Sequence, residues 1–381
     1  MAEGRKIMVF TDWYEPGFKA GGPIRSCVNF AENMQGAYEV FVFTTDRDLN
    51  ADAPYTGIRA DEWRRNEKGI RVYYCSPAGL TWSTIRRQLR ELRPDFIYLN
   101  SMFSVRFTLF PLLMSRFSGQ DGRVVLSPRG MLKDSAVRFK SRKKKVFLNS
   151  FRWLGFSRRV VFLASDETEI KDVRHYFGPA ARVVLIPNFP ARLSAAPAVL
   201  EKKPGEVSLI FVGRIHPIKN PDVLLRVLKE VRATVRLTLV GSLEDKTFWA
   251  GCEALIRELP ANITIHYAGE IPNDQLPAVT AGHHLFVLPT RGENFGHAIF
   301  EALTLGKPVL ISDQTPWRDL APVKAGWDLP LHPPEGFRVA IEQAAAFGQQ
   351  EYTAWSLGAR NFVERYLERL NLKEEYLKLF S

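Results

Sequence analysis

Two glutamates stand eight positions apart in the stretch GENFGHAIFEALTLGKPVL, which runs from Gly292 to Leu310. Glu293 precedes a predicted helix that starts near Gly296, and Glu301 lies within that helix, more than one turn along. The two carboxylates therefore do not share a helical face in the manner of a paired acid and base. Because a carboxylate beside a phosphate would repel it, we expect each to accept hydrogen bonds from sugar hydroxyls.

This arrangement suggests one ligand with a sugar at each end and phosphates between them, which describes a nucleotide sugar. The alternatives are that Glu293 offsets the helix dipole and that Glu301 is a solvated helix residue. The backbone amides around Asn294, Phe295 and Gly296 are expected to form a donor cluster at the positive end of the same helix.

Two cations follow an earlier predicted strand, in the stretch SLIFVGRIHPIKNPDVLLRVL. The strand ends at Val212, and Arg214 and Lys219 lie in the loop before a helix with Asn220 at its N-cap and Pro221 at its first position. Ligands of parallel sheets bind outside the carboxyl ends of the strands. A guanidinium and an ammonium in such a loop suit a pyrophosphate. The alternative is that both are solvated surface cations.

A glycine pair follows the first predicted strand, in the stretch TDWYEPGFKAGGPIRS. Gly21 and Gly22 come late after the strand, and their spacing does not match the dinucleotide fingerprint G-x-G-x-x-G. They indicate either a loop whose bare backbone approaches a phosphate or sugar, ahead of a helix from about Pro23, or an ordinary turn.

The elements that must position these residues alternate between apolar runs of strand length and longer helix-like stretches, which predicts βα units and parallel sheets. The stretch VVLIPNFPARLSAAPAVLEKKPGE breaks the alternation with four prolines, as an interdomain linker would. We therefore predict an α/β protein with two Rossmann-like domains facing a cleft, residues 1–187 and 188–362, and a C-terminal helix at 363–381. The predicted strands are Lys6–Phe10, Val40–Thr44, Val72–Tyr74, Phe96–Leu99, Val124–Leu126, Val160–Ala164, Ser208–Val212, Arg236–Val240, Thr264–Tyr267, Leu285–Leu288 and Val309–Ser312.

Composition and charge narrow the function classes. The 381 residues carry a net charge of +11, and residues 1–187 alone carry 31 Lys and Arg against 19 Asp and Glu. The first domain is therefore expected to face whatever anionic surface the protein meets. Three dispersed cysteines argue against a disulfide framework and suit a reducing cytosol. We find neither a signal-peptide pattern nor an apolar run long enough to span a membrane, so a soluble or peripheral protein is expected.

The motifs FVGRIHPIKN and ENFGHAIFEALTLGKPVLISD together resemble family-4 glycosyltransferases of the GT-B fold. That family carries two glutamates separated by seven residues, which matches Glu293 and Glu301, and an arginine and a lysine that match Arg214 and Lys219. VVLIPNF resembles the family's interdomain hinge and GGP its glycine loop. The resemblance covers nearly the whole chain.

The resemblance implies a retaining, metal-independent transfer of a sugar from a nucleotide donor, a UDP- or GDP-sugar, with no cofactor. Glu293 would contact the transferred sugar and Glu301 the ribose, while Arg214 and Lys219 stabilise the leaving diphosphate. The segment HYAGEIPNDQ, with Glu270 and Ile271, would meet the nucleobase through backbone groups. The final helix would pack back on the first domain.

The sequence departs from the family at one place. Many members carry a histidine after a strand of the acceptor domain, whereas the first 174 residues here contain none. Arg129 stands in the corresponding stretch, VVLSPRGMLKDSA, and together with Asn100 is a candidate contact for the acceptor or a phosphate. Arginine cannot act as a base at neutral pH, but a front-face retaining reaction needs no strong enzymic base. We expect His297 to pack near its helix start rather than act in catalysis.

A basic stretch with interleaved aromatic residues, Val137–Arg159, contains nine cations and no acid. Lys143, Lys144, Lys145 and Trp153 are candidate contacts with an anionic membrane. The alternative is an amphipathic helix with a solvated basic side. Membrane contact would suit a lipid-linked saccharide acceptor at the inner face of the plasma membrane, in polysaccharide synthesis.

Four other functions stay open. A nucleotide-sugar epimerase or a phosphorylase shares the fold, although an epimerase needs acid/base groups around the sugar that the first half lacks. A non-catalytic scaffold would not need the set of Arg214, Lys219, Glu293 and Glu301. A nucleic-acid-binding protein would explain the charge, but no recognised module accompanies it, so we expect no nucleic-acid partner.

Overall fold

A computed structural model describes residues 4–117, 123–133, 137, 141–191 and 198–381. The chain divides into two compact units, Met1–Phe189 with Asn371–Ser381 and Pro190–Leu370. The first break lies two residues beyond the predicted one. The segment predicted as one final helix, 363–381, instead contains the end of a long helix and a separate short one, and only the short one belongs to the first unit.

The first unit is built on an eight-stranded sheet in the order β3-β4-β2-β1-β5-β6-β7-β8. All neighbouring strands are parallel except the pair β3–β4. The central strands are continuous apolar runs because helices cover both faces of a parallel sheet. The strands are β1 Lys6–Phe10, β2 Glu39–Thr45, β3 Trp63–Arg65, β4 Arg71–Cys75, β5 Phe96–Leu99, β6 Arg123–Leu126, β7 Val160–Ala164 and β8 Val183–Leu185.

Helices α1 Gly22–Met34, α2 Trp82–Leu92, α3 Phe110–Phe117, α4 Ser141–Trp153 and α5 Glu167–Phe177 accompany this sheet, with a π-helical turn at Val105–Leu109. The C-terminal helix α12, Leu372–Leu379, joins the same unit through aromatic packing. Tyr376 and Phe380 are buried, their rings lie 5.7 and 5.6 Å from that of Phe30, and the Tyr38 hydroxyl donates to the Phe380 carbonyl at 2.6 Å.

The second unit contains a six-stranded parallel sheet in the order β11-β10-β9-β12-β13-β14. Its strands are β9 Glu206–Val212, β10 Thr234–Val240, β11 Ile263–Gly269, β12 Leu285–Leu288, β13 Val309–Ser312 and β14 Gly326–Leu329. Its helices are α6 Pro221–Leu228, α7 Lys246–Arg257, α8 Leu276–Ala281, α9 His297–Thr304, α10 Glu335–Ala346 and α11 Gln349–Glu368. Both units therefore have the predicted Rossmann-like architecture, and the short edge strands β3, β8 and β14 were not predicted.

In each sheet the strand order reverses direction at one place, which we call the switch point. Successive strands run outward from β1 through β2, whereas β5 pairs on the other side of β1. In the second sheet β10 and β11 lie on one side of β9 and β12 lies on the other. Ligands of open parallel sheets bind at such points, beyond the carboxyl ends of the strands.

Within the described ranges, no helix has both the length and the apolar composition that crossing a membrane requires. The same ranges contain no cluster of three or more His, Cys, Asp and Glu side chains able to hold a metal ion.

Candidate active site

The loop after β9 is held at the switch point of the second sheet. The amide of Gly213 donates to the Val240 carbonyl at 2.9 Å, and that of Ile215 donates to the Ser242 carbonyl at 2.9 Å, so the loop continues the pairing with β10. Gly241 has φ +145°, and a Cβ there would lie 2.0 Å from the Gly213 carbonyl oxygen. Only glycine permits this approach, which fixes where Arg214 leaves the sheet.

Arg214 is oriented by a carboxylate that the sequence interpretation did not identify. Its Nη1 lies 3.0 and 3.3 Å from the two carboxylate oxygens of Glu244, in the loop after β10. The Arg214 side chain remains 40 % exposed, and the ion pair involves only Nη1. The rest of the guanidinium can donate to a ligand, so Glu244 is a positioning residue. Its place just after the neighbouring strand was the signal that could have revealed it.

Lys219 and Glu293 come together as an ion pair between Nζ and Oε1. Their side chains are only 17 % and 12 % exposed. The pairing follows from two hydrogen bonds that join the loop after β9 to the loop after β12. The amide of Arg291 donates to the Ile218 carbonyl at 2.7 Å, and the Thr290 hydroxyl donates to the same carbonyl at 3.1 Å. The sequence placed both charges near one ligand and did not predict that they contact each other.

Asn220 occupies the N-cap position of α6, with Pro221 first in the helix, as predicted. Its side chain forms no capping hydrogen bond, so that part of the prediction is wrong. The backbone of Asn220 is left-handed, with φ +64°, whereas a side-chain cap requires an extended conformation. The side-chain oxygen instead accepts from Arg291 Nε at 3.3 Å, which adds a third link between the two loops.

His216 lies in the same loop and was not singled out from the sequence. Its Nδ1 accepts from the Ile218 amide at 3.2 Å, so the imidazole shapes the loop in its neutral form. Burial, and next the charge of Arg214, lower the pKa of His216. The loop therefore presents two permanent cations and a neutral ring at pH 7.

The loop after β12 presents Glu293 and Asn294 ahead of helix α9. The Glu293 amide donates to the Gln314 carbonyl at 3.0 Å, which ties the loop to the end of β13. The side-chain Nδ2 and Oδ1 of Asn294 are both buried and have no hydrogen-bond partner among the residues that the structure describes. Buried amides are nearly always hydrogen-bonded in native proteins, so this amide is suited to meet a ligand.

Phe295 contributes to the core as well as to the loop. Its ring is buried against Trp317, 5.3 Å away, and its carbonyl accepts from Trp317 Nε1 at 2.6 Å. Gly296 then takes φ +77°, and a Cβ there would lie 3.0 Å from Ile299. His297 packs on the Phe295 ring at 4.7 Å, in line with the expectation for that residue.

The remaining predicted donor contacts lie at the same edge of the sheet. Glu301 is half-buried in α9, one turn beyond its start. Glu270 is exposed and Ile271 half-buried directly after β11, where the Gly241 amide donates to the Gly269 carbonyl at 2.8 Å. The β9, β10, β11 and β12 ends thus all contribute predicted or newly identified polar groups to one edge.

Comparisons with known proteins agree with this geometry. A family model described as "Glycosyltransferase Family 4" matches residues 20–189, within the first unit, and one described as "Glycosyl transferases group 1" matches residues 194–322, within the second. The chain belongs to the family-4 glycosyltransferases. A D-inositol 3-phosphate glycosyltransferase of Rhodococcus jostii is 34 % identical over 169 residues, 40 % of this chain and 37 % of that protein. O-antigen chain mannosyltransferase B of Escherichia coli is 28 % identical over 42 % of this chain and 44 % of its own.

These alignments cover less than half of the length of each curated relative. Among solved structures, HepE of Anabaena, in complex with UDP and glucose, matches 98 % of both chains with a TM-score of 0.71 and 15 % identity. At that identity the likeness shows the GT-B fold alone.

In the first unit, Gly21 and Asn100 lie at the corresponding switch point. Gly21 has φ +63° and precedes α1, whose first residue is Gly22. The Asn100 amide donates to the Phe10 carbonyl at 3.0 Å, and its Nδ2 lies 3.4 Å from Thr11 Oγ1. The two glycines therefore shape a real loop before a helix, and a ligand contact there stays a prediction.

Arg129 is engaged within the first unit. Its guanidinium donates to Asn100 Oδ1 at 2.6 Å, to the Tyr98 hydroxyl at 2.7 Å and to Asn188 Oδ1. These contacts hold the side chain of Asn100, which follows β5 directly. They use three of the five N–H donors of the guanidinium, and a direct binding role for Arg129 stays a prediction.

Asp12 is the carboxylate of the first unit that the sequence interpretation missed. It follows β1 directly, and its Oδ1 accepts from the Ser104 hydroxyl at 2.8 Å. Burial raises the pKa of Asp12 to about 6, against the opposing effect of the Ser104 hydrogen bond. A carboxyl group that titrates near neutrality at a switch point is a candidate contact for an acceptor hydroxyl.

The basic helix α4 has two distinct faces. Leu148 and Phe151 are buried, whereas Trp153 is 86 % exposed and Lys143 and Lys145 also face solvent. Lys144 differs from its neighbours, because it is half-buried and its Nζ lies 5.0 Å from the centre of the Phe103 ring. Residues 138–140 of the basic stretch lie outside the described residues.

Proposed function

We propose that this glycosyltransferase moves a sugar from a nucleoside-diphosphate sugar to a saccharide or lipid-linked saccharide and retains the anomeric configuration. The observation that carries the proposal is the pairing of Lys219 with Glu293 at the switch point of the second sheet, beside the oriented Arg214. Cations suit the diphosphate and the carboxylate suits sugar hydroxyls. One edge of the second sheet therefore offers cations for the diphosphate of a nucleotide sugar and a carboxylate for its sugar.

The chemistry follows from where charge develops. As the glycosidic bond breaks, negative charge grows on the leaving diphosphate, and Arg214, Lys219 and the amides at the start of α9 would stabilise it. Glu293 would hold hydroxyls of the transferred sugar, and Glu301 those of the ribose. The leaving phosphate oxygen would take the proton of the acceptor hydroxyl on the same face, which gives retention. The proposal assigns no step to a metal ion, and it predicts that transfer continues in the presence of EDTA.

The named relatives support the choice of substrates. HepE was crystallised with UDP and glucose, which supports a nucleoside-diphosphate sugar as the donor here, and we propose a UDP- or GDP-sugar. The relatives include a D-inositol 3-phosphate glycosyltransferase and an O-antigen mannosyltransferase. An acceptor from cell-surface polysaccharide assembly suits the second of these names.

A peripheral position on the inner face of the plasma membrane forms part of the proposal. The apolar side chains of Val146 and Trp153 are exposed on α4, and so are the cations Arg142, Lys145 and Arg152 of the same helix. Aromatic and apolar groups framed by Lys and Arg are the pattern of a helix that lies in a membrane interface. The inward Lys144 is not expected to take part.

Thermal stability in the presence of UDP-, GDP- and ADP-sugars tests the donor site. A ligand that binds only the folded state raises the melting temperature. One nucleotide family should do so, and Lys219→Ala and Glu301→Ala should abolish the shift, while Lys246→Ala and Glu253→Ala on α7 should not. No shift with any nucleotide sugar would contradict the proposal. Product analysis with the donor that binds then separates transfer from epimerisation, since an epimerase converts the donor without an acceptor.

Co-sedimentation with vesicles tests the membrane contact. Charge reversal of Lys143 and Lys145 should weaken binding to vesicles that contain phosphatidylglycerol, whereas reversal of Lys246 and Arg257 in the second unit should not. Equal binding by all variants would refute the role of α4.

A further inference from the structure

Helix α2 carries three arginines on its exposed side. Arg86, Arg87 and Arg90 are exposed, and none forms an ion pair with a residue in the described parts of the chain. Like charges three or four positions apart on a helix repel one another. The helix dipole accounts for Arg90 in the last turn, but it does not account for Arg86 and Arg87 in the middle.

The opposite face of α2 anchors the helix without these arginines. Ile85 and Leu89 are fully buried, and the buried Gln88 accepts from Trp63 Nε1 at 2.7 Å. Thr81 caps the helix, because its side chain accepts from the Thr84 amide at 3.2 Å. Arg86 and Arg90 can therefore be replaced without disturbing this packing, whereas the Arg87 side chain also interacts with the Tyr73 hydroxyl.

All three arginines line one open groove between α2 and α3. The groove has a volume of about 720 Å³, within the range of small-molecule sites. At its rim Trp82 is 45 % exposed and stacks on Phe110, with ring centres 3.9 Å apart. The residues that line the groove are Trp82, Ser83, Arg86, Arg87, Arg90, Glu91 and Met114.

We propose that this groove, here called the α2 groove, binds the phosphate of an anionic phospholipid headgroup when the protein lies on a membrane. Planar guanidinium groups pair with phosphate oxygens in a bidentate way, and three of them converge on one groove. The inference adds a specific lipid site to the membrane contact in the proposed function, but it does not require that glycosyl transfer occurs.

The surroundings of the α2 groove favour a lipid over a nucleic acid. Trp82 already stacks on Phe110, so one face of its ring is not available to stack on a nucleobase. Val105, five residues before Phe110 in the chain, is an exposed apolar side chain, which suits contact with a lipid. The segment 103–110 also links α2 to α4, because the rings of Phe103 and Phe147 lie 5.4 Å apart. The segment 103–110 thus contacts both the rim of the groove, through Phe110, and the basic helix, through Phe103.

The test measures binding of the full chain to phosphatidylcholine vesicles with and without phosphatidylglycerol. We expect the Arg86→Gln, Arg87→Gln, Arg90→Gln variant to lose about a hundred-fold in partitioning to the anionic vesicles, at roughly five-fold for each cation near the surface. A control that neutralises Arg226, Lys246 and Arg257 in the second unit should retain binding. Equal loss in this control would overturn the site, because net charge alone would then explain the binding.

A charge-preserving variant separates a phosphate site from diffuse attraction. Replacement of all three arginines by lysine keeps the charge and removes the planar fork, so binding should fall by about ten-fold if the groove grips a phosphate. Full retention by this lysine variant would overturn the proposal. The last arm measures gel shifts with single-stranded RNA in physiological salt. If RNA binding depends on the same arginines more strongly than vesicle binding does, the proposal is also overturned. Glycosyl transfer to a soluble acceptor is measured in parallel, so failure of the lipid site and failure of the transferase proposal are distinguishable.

Discussion

Lys219 cannot donate fully to a diphosphate while it is paired with Glu293, and this competition predicts effects of opposite sign for the two side chains. Glu293→Gln should tighten the binding of a free nucleoside diphosphate, because it releases the ammonium and removes a negative charge from the site. Lys219→Ala should weaken the same binding, since the diphosphate loses a charged donor. If the two residues only stabilised the loop, both substitutions would weaken diphosphate binding.

The structure sets the size of each effect. With side chains only 17 % and 12 % exposed, the pair lies between a surface and a buried ion pair. Two charges about 4 Å apart attract by roughly 4 kcal/mol at an effective dielectric constant of about 20, and desolvation offsets part of that. A net coupling of about 1–2 kcal/mol corresponds to roughly five- to thirty-fold tighter diphosphate binding in Glu293→Gln. A charged hydrogen bond is worth about 1.5–3 kcal/mol, so Lys219→Ala should weaken binding about ten- to hundred-fold.

Calorimetric titration with UDP and GDP measures both constants, and Glu342→Gln, which breaks the Arg338 ion pair on α10, controls for the loss of any carboxylate. The nucleotide sugar should respond differently from the free diphosphate. In Glu293→Gln it should gain little or no affinity, because the sugar hydroxyls lose their acceptor, and the transfer rate should fall. Unchanged or weaker diphosphate binding in Glu293→Gln would refute the competition between the carboxylate and the ligand.

Three further predictions concern the same unit. Glu244→Gln should weaken diphosphate binding by only about two- to five-fold, because an exposed ion pair contributes at most about 1 kcal/mol. Arg214→Ala should weaken the same binding more. A larger effect for Glu244→Gln than for Arg214→Ala in titration would contradict the positioning role of Glu244. Gly296→Ala should lower the melting temperature, since a left-handed residue with a Cβ costs about 1–2 kcal/mol, whereas Gly251→Ala in α7, where a Cβ meets nothing within 4 Å, should not. His284 accepts from the Ser208 amide through Nδ1 at 3.0 Å, and burial lowers its pKa from the ordinary 6.5. The unfolded chain therefore binds the proton more readily, so the free energy of unfolding should fall as pH drops below about 6.5. Urea unfolding at several pH values should show a shallower fall in His284→Gln, because the lowered pKa values of His216 and His283 leave part of the slope in place. An unchanged slope in this variant would contradict the assignment to His284.

The central strands of both sheets could be predicted because burial on two faces makes them continuous apolar runs. The edge strands could not. Trp63–Arg65 and Val183–Leu185 are three residues long, and the first carries two arginines, so neither pattern exceeds what an ordinary loop contains. Gly326–Leu329 begins with a glycine of φ +146° that packs against Val309, a contact that local sequence does not encode.

Side-chain orientation on the basic helix was predictable in principle. Leu148 and Phe151 fix which side of α4 is buried, and Lys144 lies four positions before Leu148. Treating Lys143, Lys144 and Lys145 as one cluster ignored the rotation of 100° per residue that separates them on a helix. The structure accordingly leaves Lys143 and Lys145 exposed and places the Lys144 ammonium over Phe103.

The order of strands explains why two carboxylates, one in each unit, were not identified from the sequence. Spacing shows which residues follow a strand, but only the sheet shows which strands are neighbours. Glu244 meets Arg214 because β10 pairs with β9, and Asp12 meets Ser104 because β5 lies beside β1. Arg129, in the stretch where many family members carry a histidine, follows β6, one strand away from the switch point. The switch point itself lies between β1 and β5, and there the first unit offers Asp12, whose pKa is raised to about 6 by burial. The first unit therefore has a titratable group at this edge of its sheet, although the first 174 residues contain no histidine.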